Sequence, residues 1–181
     1  MSGSGQGGDG AAVETRHGSG RVGLGPFLLL GFAAGFIAVL VFHQGMIWLL
    51  HAAGLLPNPP FPLRPVPPLG VPQVYSSAFW GGVWGVAIAA ILWARPGWNP
   101  VLVGLLVGAI GCVLVGFTVV PALRGQPLMG GWDANRWWRS IVINGAYGLG
   151  TGLLLLPFRR ATARAEGRSR HLRARGGTRR G

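Results

Sequence analysis

Three imidazole or carboxamide side chains lie well inside the apolar stretches of this 181-residue chain: His43, Gln44 and Asn144. An imidazole and two carboxamides donate and accept hydrogen bonds without needing an ion partner. Two kinds of chemistry fit them. One is a hydrogen bond that ties two membrane helices together; the other is a small polar site for an uncharged or weakly polar solute. Hydrolysis, proton relay and voltage sensing fit poorly. No acid or arginine lies deep in an apolar stretch, and Asp133 is the only acid between residues 15 and 165. Metal chemistry fits no better, because one cysteine, Cys112, and scattered histidines do not supply four ligands. His51 follows His43 at a spacing that gives ~12 Å of helical rise, so the two cannot share one metal or haem iron. A haem would need His43 from two subunits. The residues therefore predict no catalytic set, no metal, no cofactor and no enzymatic activity.

The elements that must position these residues are four apolar runs, about 26–50, 73–94, 100–120 and 138–158. Each is near the ~20 residues that cross a bilayer as a helix. Half of the residues are hydrophobic and 11% are charged, under the roughly 25% of soluble domains. The fold class expected is an all-α membrane protein, a four-transmembrane-helix bundle over residues 25–158. It has a disordered N-terminal segment, 1–24, and an arginine-rich C-terminal tail, 159–181. The first run is too long and too far from the start for a signal peptide, so it reads as an uncleaved helix. Two G-x-G-x-x-G matches, Gly3 to Gly8 and Gly18 to Gly23, lack the strand and helix that a dinucleotide site requires.

Eight of the fourteen prolines fall within residues 57–72. Proline fixes φ and lacks an amide donor, so this loop reads as an extended, stiff connector that lies on the membrane surface or caps the bundle. Pro72 suits the start of the second helix. Arg95 to Pro100 reads as a tight turn. Pro121 reads as the stop of the third helix and Asp133 as the N-cap of the fourth.

Arginine supplies all 16 basic residues, the mark of a GC-rich genome, and nine of the arginines fall in the tail. Positive charge is retained on the cytoplasmic side. With both termini inside, twelve arginines are cytoplasmic and four are outside, so the reading is a multi-pass bacterial inner-membrane protein with cytoplasmic N- and C-termini. The tail begins directly at a span end. Arg159, Arg160 and Arg164 are expected to contact anionic lipid headgroups, at about 1 kcal/mol per basic residue near the surface. The tail has no aromatic residue for base stacking, which argues against nucleic acid as the partner. Trp48, Trp80, Trp93, Trp98, Trp132, Trp137 and Trp138 fall near span ends, as interfacial anchors do.

Small residues recur four apart in every span: Gly31 and Gly35; Gly81, Gly85 and Ala89; Gly104, Gly108, Cys112 and Gly116; Gly148 and Gly152. That spacing lines one helix face and lets backbones approach closely, which matters where lipid gives helices no hydrophobic drive to associate. Cys112 then serves packing. A further helix face could serve a homo-oligomer or a partner in a membrane complex. In this topology His43 and Asn144 each lie ~10 Å inside the same boundary, so His43 or Gln44 is expected to hydrogen-bond Asn144 across the first and fourth helices.

Phe42-His43-Gln44-Gly45-Met46, Arg64 to Pro72, Phe79 to Gly85 and Ile143 to Gly148 together resemble a group of small, uncharacterised proteobacterial inner-membrane proteins. The resemblance covers about residues 25–157. It implies membrane location and four helices, and carries no activity and no functional residue. The expected role is that of a structural or accessory helper subunit. The alternative is a small-solute transporter or channel-like protein whose polar site, His43, Gln44 and Asn144, opens near the outer face.

Overall fold

The computed structural model describes residues 23–177, with side chains from Gly23 to Arg159. Among these residues, four helices are long and apolar enough to cross a membrane. We label them α1 (Leu24–Ala52), α2 (Gln73–Ala94), α3 (Pro100–Leu123) and α4, whose apolar part is Ala134–Arg159. This is the composition of a multi-pass all-α membrane protein. Of the N-terminal segment expected to be disordered, 1–24, residues 1–22 lie outside the described residues, and Leu24 already belongs to α1.

Local chemistry sets the helix ends. The α2 helix spans the expected residues, between Pro72 and Arg95. At α3, the Asn99 side chain accepts hydrogen bonds from Val101 N at 2.9 Å and Leu102 N at 3.4 Å, with Pro100 in the first turn, where its missing N–H costs nothing. Pro121 does not stop this helix, as the sequence reading expects. The helix runs on to Leu123, and Arg124 N and Gln126 N then bond to Pro121 O. Proline removes one donor near a terminus, where little helix remains to be broken. The α4 helix begins one turn earlier than its apolar run because Asp133 Oδ1 accepts from Asn135 N at 2.9 Å, the expected N-cap. It then continues without a break to Gly177, so part of the basic tail extends the last helix. Two π-helical segments, Val39–His43 in α1 and Val107–Cys112 in α3, re-aim the residues that follow them.

The α1 and α2 helices form one hairpin, and α3 and α4 form another. In each, glycine faces glycine. A Cβ on Gly35 would stand 2.9 Å from Gly85 Cα, and a Cβ on Gly85 would stand 3.0 Å from Gly35 Cα. The second hairpin repeats this: 2.9 Å from Gly108 to Gly148 Cα, and 3.0 Å from Gly148 to Gly108 Cα. Only residues without side chains permit such approach. The stripe in α3 ends before Gly116, where an added Cβ meets nothing within 4 Å. The two hairpins then pack through Phe27, Ala34, Ile88, Ala89, Leu92, Val103 and Leu155 at one level. At the other level they pack through Ala38, Val39, Ala78 and Tyr147, with Cys112 and Trp84 against them. Cys112 thus serves packing, in keeping with its place on the stripe.

The connections differ in length at the two ends of the bundle. At one end, Arg95 to Asn99 is a tight turn, with Trp98 N bonded to Arg95 O. At the other, which we call the long-loop end, residues 53–72 join α1 to α2 and residues 124–133 join α3 to α4. The first of these loops contains a two-residue antiparallel pairing, Pro65–Val66 (β1) with Val71–Pro72 (β2).

Candidate functional site

The three polar residues singled out by the sequence sit near the long-loop end, but they do not bond to one another. Gln44 is 2% exposed, and its Oε1 accepts from Phe61 N at 2.8 Å, in the proline-rich loop. Asn144 Nδ2 donates to Ser140 O at 2.9 Å, one turn back in its own helix. His43 Nδ1 is buried, with no hydrogen-bond partner among the described residues. The bond expected between α1 and α4 at this level is therefore replaced by two separate satisfactions. Depth along the bundle was matched, but azimuth was not. The π segment ends at His43 and turns Gln44 toward the loop, while the backbone of Asn144 lies against Gly108 of α3.

The loop is held in place by more than Gln44. Gln73 N bonds to Arg64 O at 3.0 Å and Val74 N to Pro62 O at 3.1 Å, and the Arg64 guanidinium donates to Gln73 Oε1. His51 Nδ1 is 2.8 Å from Leu56 O, which fixes the loop's first turn. The proline-rich segment thus caps the first hairpin. Gln44→Leu should leave the Phe61 N–H without its buried acceptor, at a cost of about 1–3 kcal/mol. Faster amide exchange at Phe61 and faster proteolysis within residues 57–72, with helix content unchanged, are the expected readouts. Unchanged protection at Phe61 would mean that Gln44 does not hold the loop.

A second polar contact, which the sequence does not announce, crosses between the hairpins. Tyr147 is 2% exposed, and its hydroxyl donates to Gly81 O at 2.7 Å. Thr151, fully buried, donates to Tyr147 O at 3.0 Å. In the sequence, Tyr147 stands next to Gly148 of the stripe, with nothing beside it to mark a polar partner. Only the neighbouring helix supplies the carbonyl that makes it a polar tie.

The headgroup arginines divide. Arg159 has protein partners: it donates to Leu92 O at 3.0 Å and to Pro96 O, closing the end of α2. The side chains of Arg160 and Arg164 lie outside the described residues. Of the expected tryptophan anchors, Trp48, Trp80, Trp93, Trp98 and Trp132 are exposed. Trp137 is instead fixed, its Nε1 donating to Met129 O at 2.9 Å and its ring edge-on to Phe117 at 5.0 Å. Among the described residues, no group of three or more His, Cys, Asp or Glu side chains is placed to hold a metal ion.

One cavity, of about 490 Å³, opens at the long-loop end of the second hairpin. Gly116, Phe117 and Pro121 of α3, Gln126 and Gly130 of the short loop, and Arg136 of α4 line it. His43, Gln44 and Asn144 do not. Comparison with protein-family models, with curated proteins and with solved structures finds no match to this chain.

Proposed function

We propose that this protein is an inner-membrane accessory subunit with both termini in the cytoplasm, a compact helical body whose role is to associate rather than to conduct or catalyse. The observation that carries the reading is the character of the interior. Backbone meets backbone along both glycine seams, and Tyr147, Thr151 and Gln44 spend their polar atoms on the protein's own backbone. A transporter needs a wet polar site within reach of solute. Here the residues expected to line one do not converge: Gln44 and Asn144 are taken by different backbone partners, and none of His43, Gln44 and Asn144 lies on the cavity wall. Orientation rests on the charge distribution, with the arginine-rich tail inside. The resemblance to small proteobacterial inner-membrane proteins agrees with this placement.

The test is co-purification of the full chain in mild detergent, with identification of bound proteins. A stoichiometric membrane-protein partner is the expected result. A lone, stable homo-oligomer that retains nothing else would count against the helper-subunit reading.

A further inference from the structure

The two hairpins are copies of one plan. With a constant shift, Gly31, Phe32, Gly35, Phe36, Ala38 and Val39 of α1 fall on Gly104, Leu105, Gly108, Ala109, Gly111 and Cys112 of α3. With another, Gly82, Trp84, Gly85, Ala89 and Leu92 of α2 fall on Gly145, Tyr147, Gly148, Gly152 and Leu155 of α4. The contacts follow the same correspondence. A Cβ on Gly82 would run into the Phe32 ring, and one on Gly145 would touch Leu105 Cδ1 at 3.5 Å and Ala109 Cβ at 3.6 Å. Trp84 packs on Gly111 of the opposite hairpin, as Tyr147 packs with Ala38 and Val39. Parallel repeats of this kind are a recognised build of membrane proteins.

The copies diverge at the long-loop end. In the first hairpin, Gln44 and Gln73 are both taken by the protein's own loop, through Phe61 N and the Arg64 guanidinium. Under the same shifts, Gln44 falls on Phe117, His43 on Gly116 and Gln73 on Arg136. Those three residues line the open cavity. The loop of the second hairpin is shorter and does not fill it. The polarity is also reversed. In the first hairpin a cation arrives with the plug, Arg64; in the second, the cation, Arg136, belongs to the wall.

We propose that this cavity binds one anionic amphiphile, with a phosphate or carboxylate head on Arg136 and Gln126 and an apolar chain against Phe117 and Pro121. The ligand takes the place that the proline-rich loop takes in the first hairpin. Arg136 is exposed, and Asp133 Oδ2 lies 4.0 Å from its Nε; that contact leaves the other guanidinium donors to a head group. Asp133 Oδ1 is committed to the α4 cap. The loop that carries Gly130 into the wall is tightly turned: Met129, Gly130, Gly131 and Trp132 all hold positive φ, between 55° and 68°, and Trp137 Nε1 donates to Met129 O. Exposed Leu123, Leu128 and Trp132 carry an apolar surface outward from the same loop region, which suits a chain and not a free ion.

The test uses the full chain in neutral detergent and two variants built to fold. Gly116→Leu fills space in which an added Cβ meets nothing within 4 Å, and Arg136→Gln removes the charge from an exposed side chain. Both should keep the wild-type unfolding temperature without lipid. Binding of dioleoyl-phosphatidylglycerol, dioleoyl-phosphatidylcholine, oleate and inorganic phosphate is measured by native mass spectrometry and by thermal shift. The wild type should bind phosphatidylglycerol or oleate at least ~10-fold more tightly than phosphatidylcholine, the worth of one charge-assisted hydrogen bond. Whichever of the two binds more tightly identifies the head group. Each variant should lose one bound amphiphile and the thermal shift, while the tail arginines, still present, account for any weaker binding that remains. Equal lipid counts in wild type and both variants would overturn the proposal. So would an Arg136-dependent shift that inorganic phosphate alone produces in full.

Discussion

Gly35→Leu and Gly108→Leu should each be among the most damaging single substitutions in this protein. At both positions the new side chain meets backbone: Gly85 Cα and Gly81 O beside Gly35, Gly148 Cα and Asn144 O beside Gly108. A side chain can change rotamer to make room, but a helix backbone cannot, so the only relief is separation of the two helices. Overpacking of a well-packed interior typically costs about 1–3 kcal/mol, and these positions belong at or above the top of that range. The loss is larger in effect than in number, because lipid gives separated helices no hydrophobic reason to return. Reversible unfolding in detergent, followed by helical circular dichroism and by gel filtration, is the measurement. The expected result is a lowered transition midpoint and an expanded species. Gly45→Ala is the internal control: no atom lies within 4 Å of its added methyl, and alanine is the better helix former by about 0.5–1 kcal/mol. A Gly35→Leu protein as stable as the control would mean that the seam is not what holds the first hairpin.

Much of the framework was readable in the residues, and the limits have identifiable causes. The α2 helix was bounded correctly because Pro72 and the Arg95-Pro96 pair punctuate it on both sides. Asp133 was readable as a cap because it is a lone acid ahead of an apolar run, and Asn99 ahead of Pro100 carries the same kind of local signal. The glycine stripes showed which face of each helix approaches a neighbour, but not which neighbour. Pairing of α1 with α2 and of α3 with α4 depends on how the turns fold back. The tie between His43 or Gln44 and Asn144 failed for a similar reason. Spacing along a helix yields depth, whereas contact also needs azimuth, and a π segment that ends at His43 changes azimuth without changing composition. Tyr147 was invisible as a polar residue because its acceptor is a backbone carbonyl, which has no letter in the sequence. The repeat was hidden because its two copies share the placement of small residues more than the identity of large ones.

Arg159→Gln should weaken the fold itself, not only its attachment to lipid. The arginine side chain reaches from α4 to the end of α2 and donates to Leu92 O and Pro96 O. The last carbonyls of a helix lack intrahelical donors and carry the negative end of its dipole, so a guanidinium there satisfies both needs. Charge-assisted hydrogen bonds of this kind contribute about 1.5–3 kcal/mol, and a carboxamide can replace at most one of them. A headgroup arginine and a bracing arginine differ in what they depend on. Removing one that acts through anionic lipid changes nothing in neutral detergent. Removing Arg159 should lower the unfolding midpoint there too, and should speed amide exchange around Arg95 and Trp98, where the turn between the two hairpins begins. Arg159→Lys should recover part of the loss, because an ammonium keeps the charge near the helix end but lacks the fork that spans two carbonyls. If Arg159→Gln matched the wild type in neutral detergent and differed only when anionic lipid was added, the brace would be of no consequence. Arg159 would then act as the sequence reading expects, among the headgroup contacts with Arg160 and Arg164.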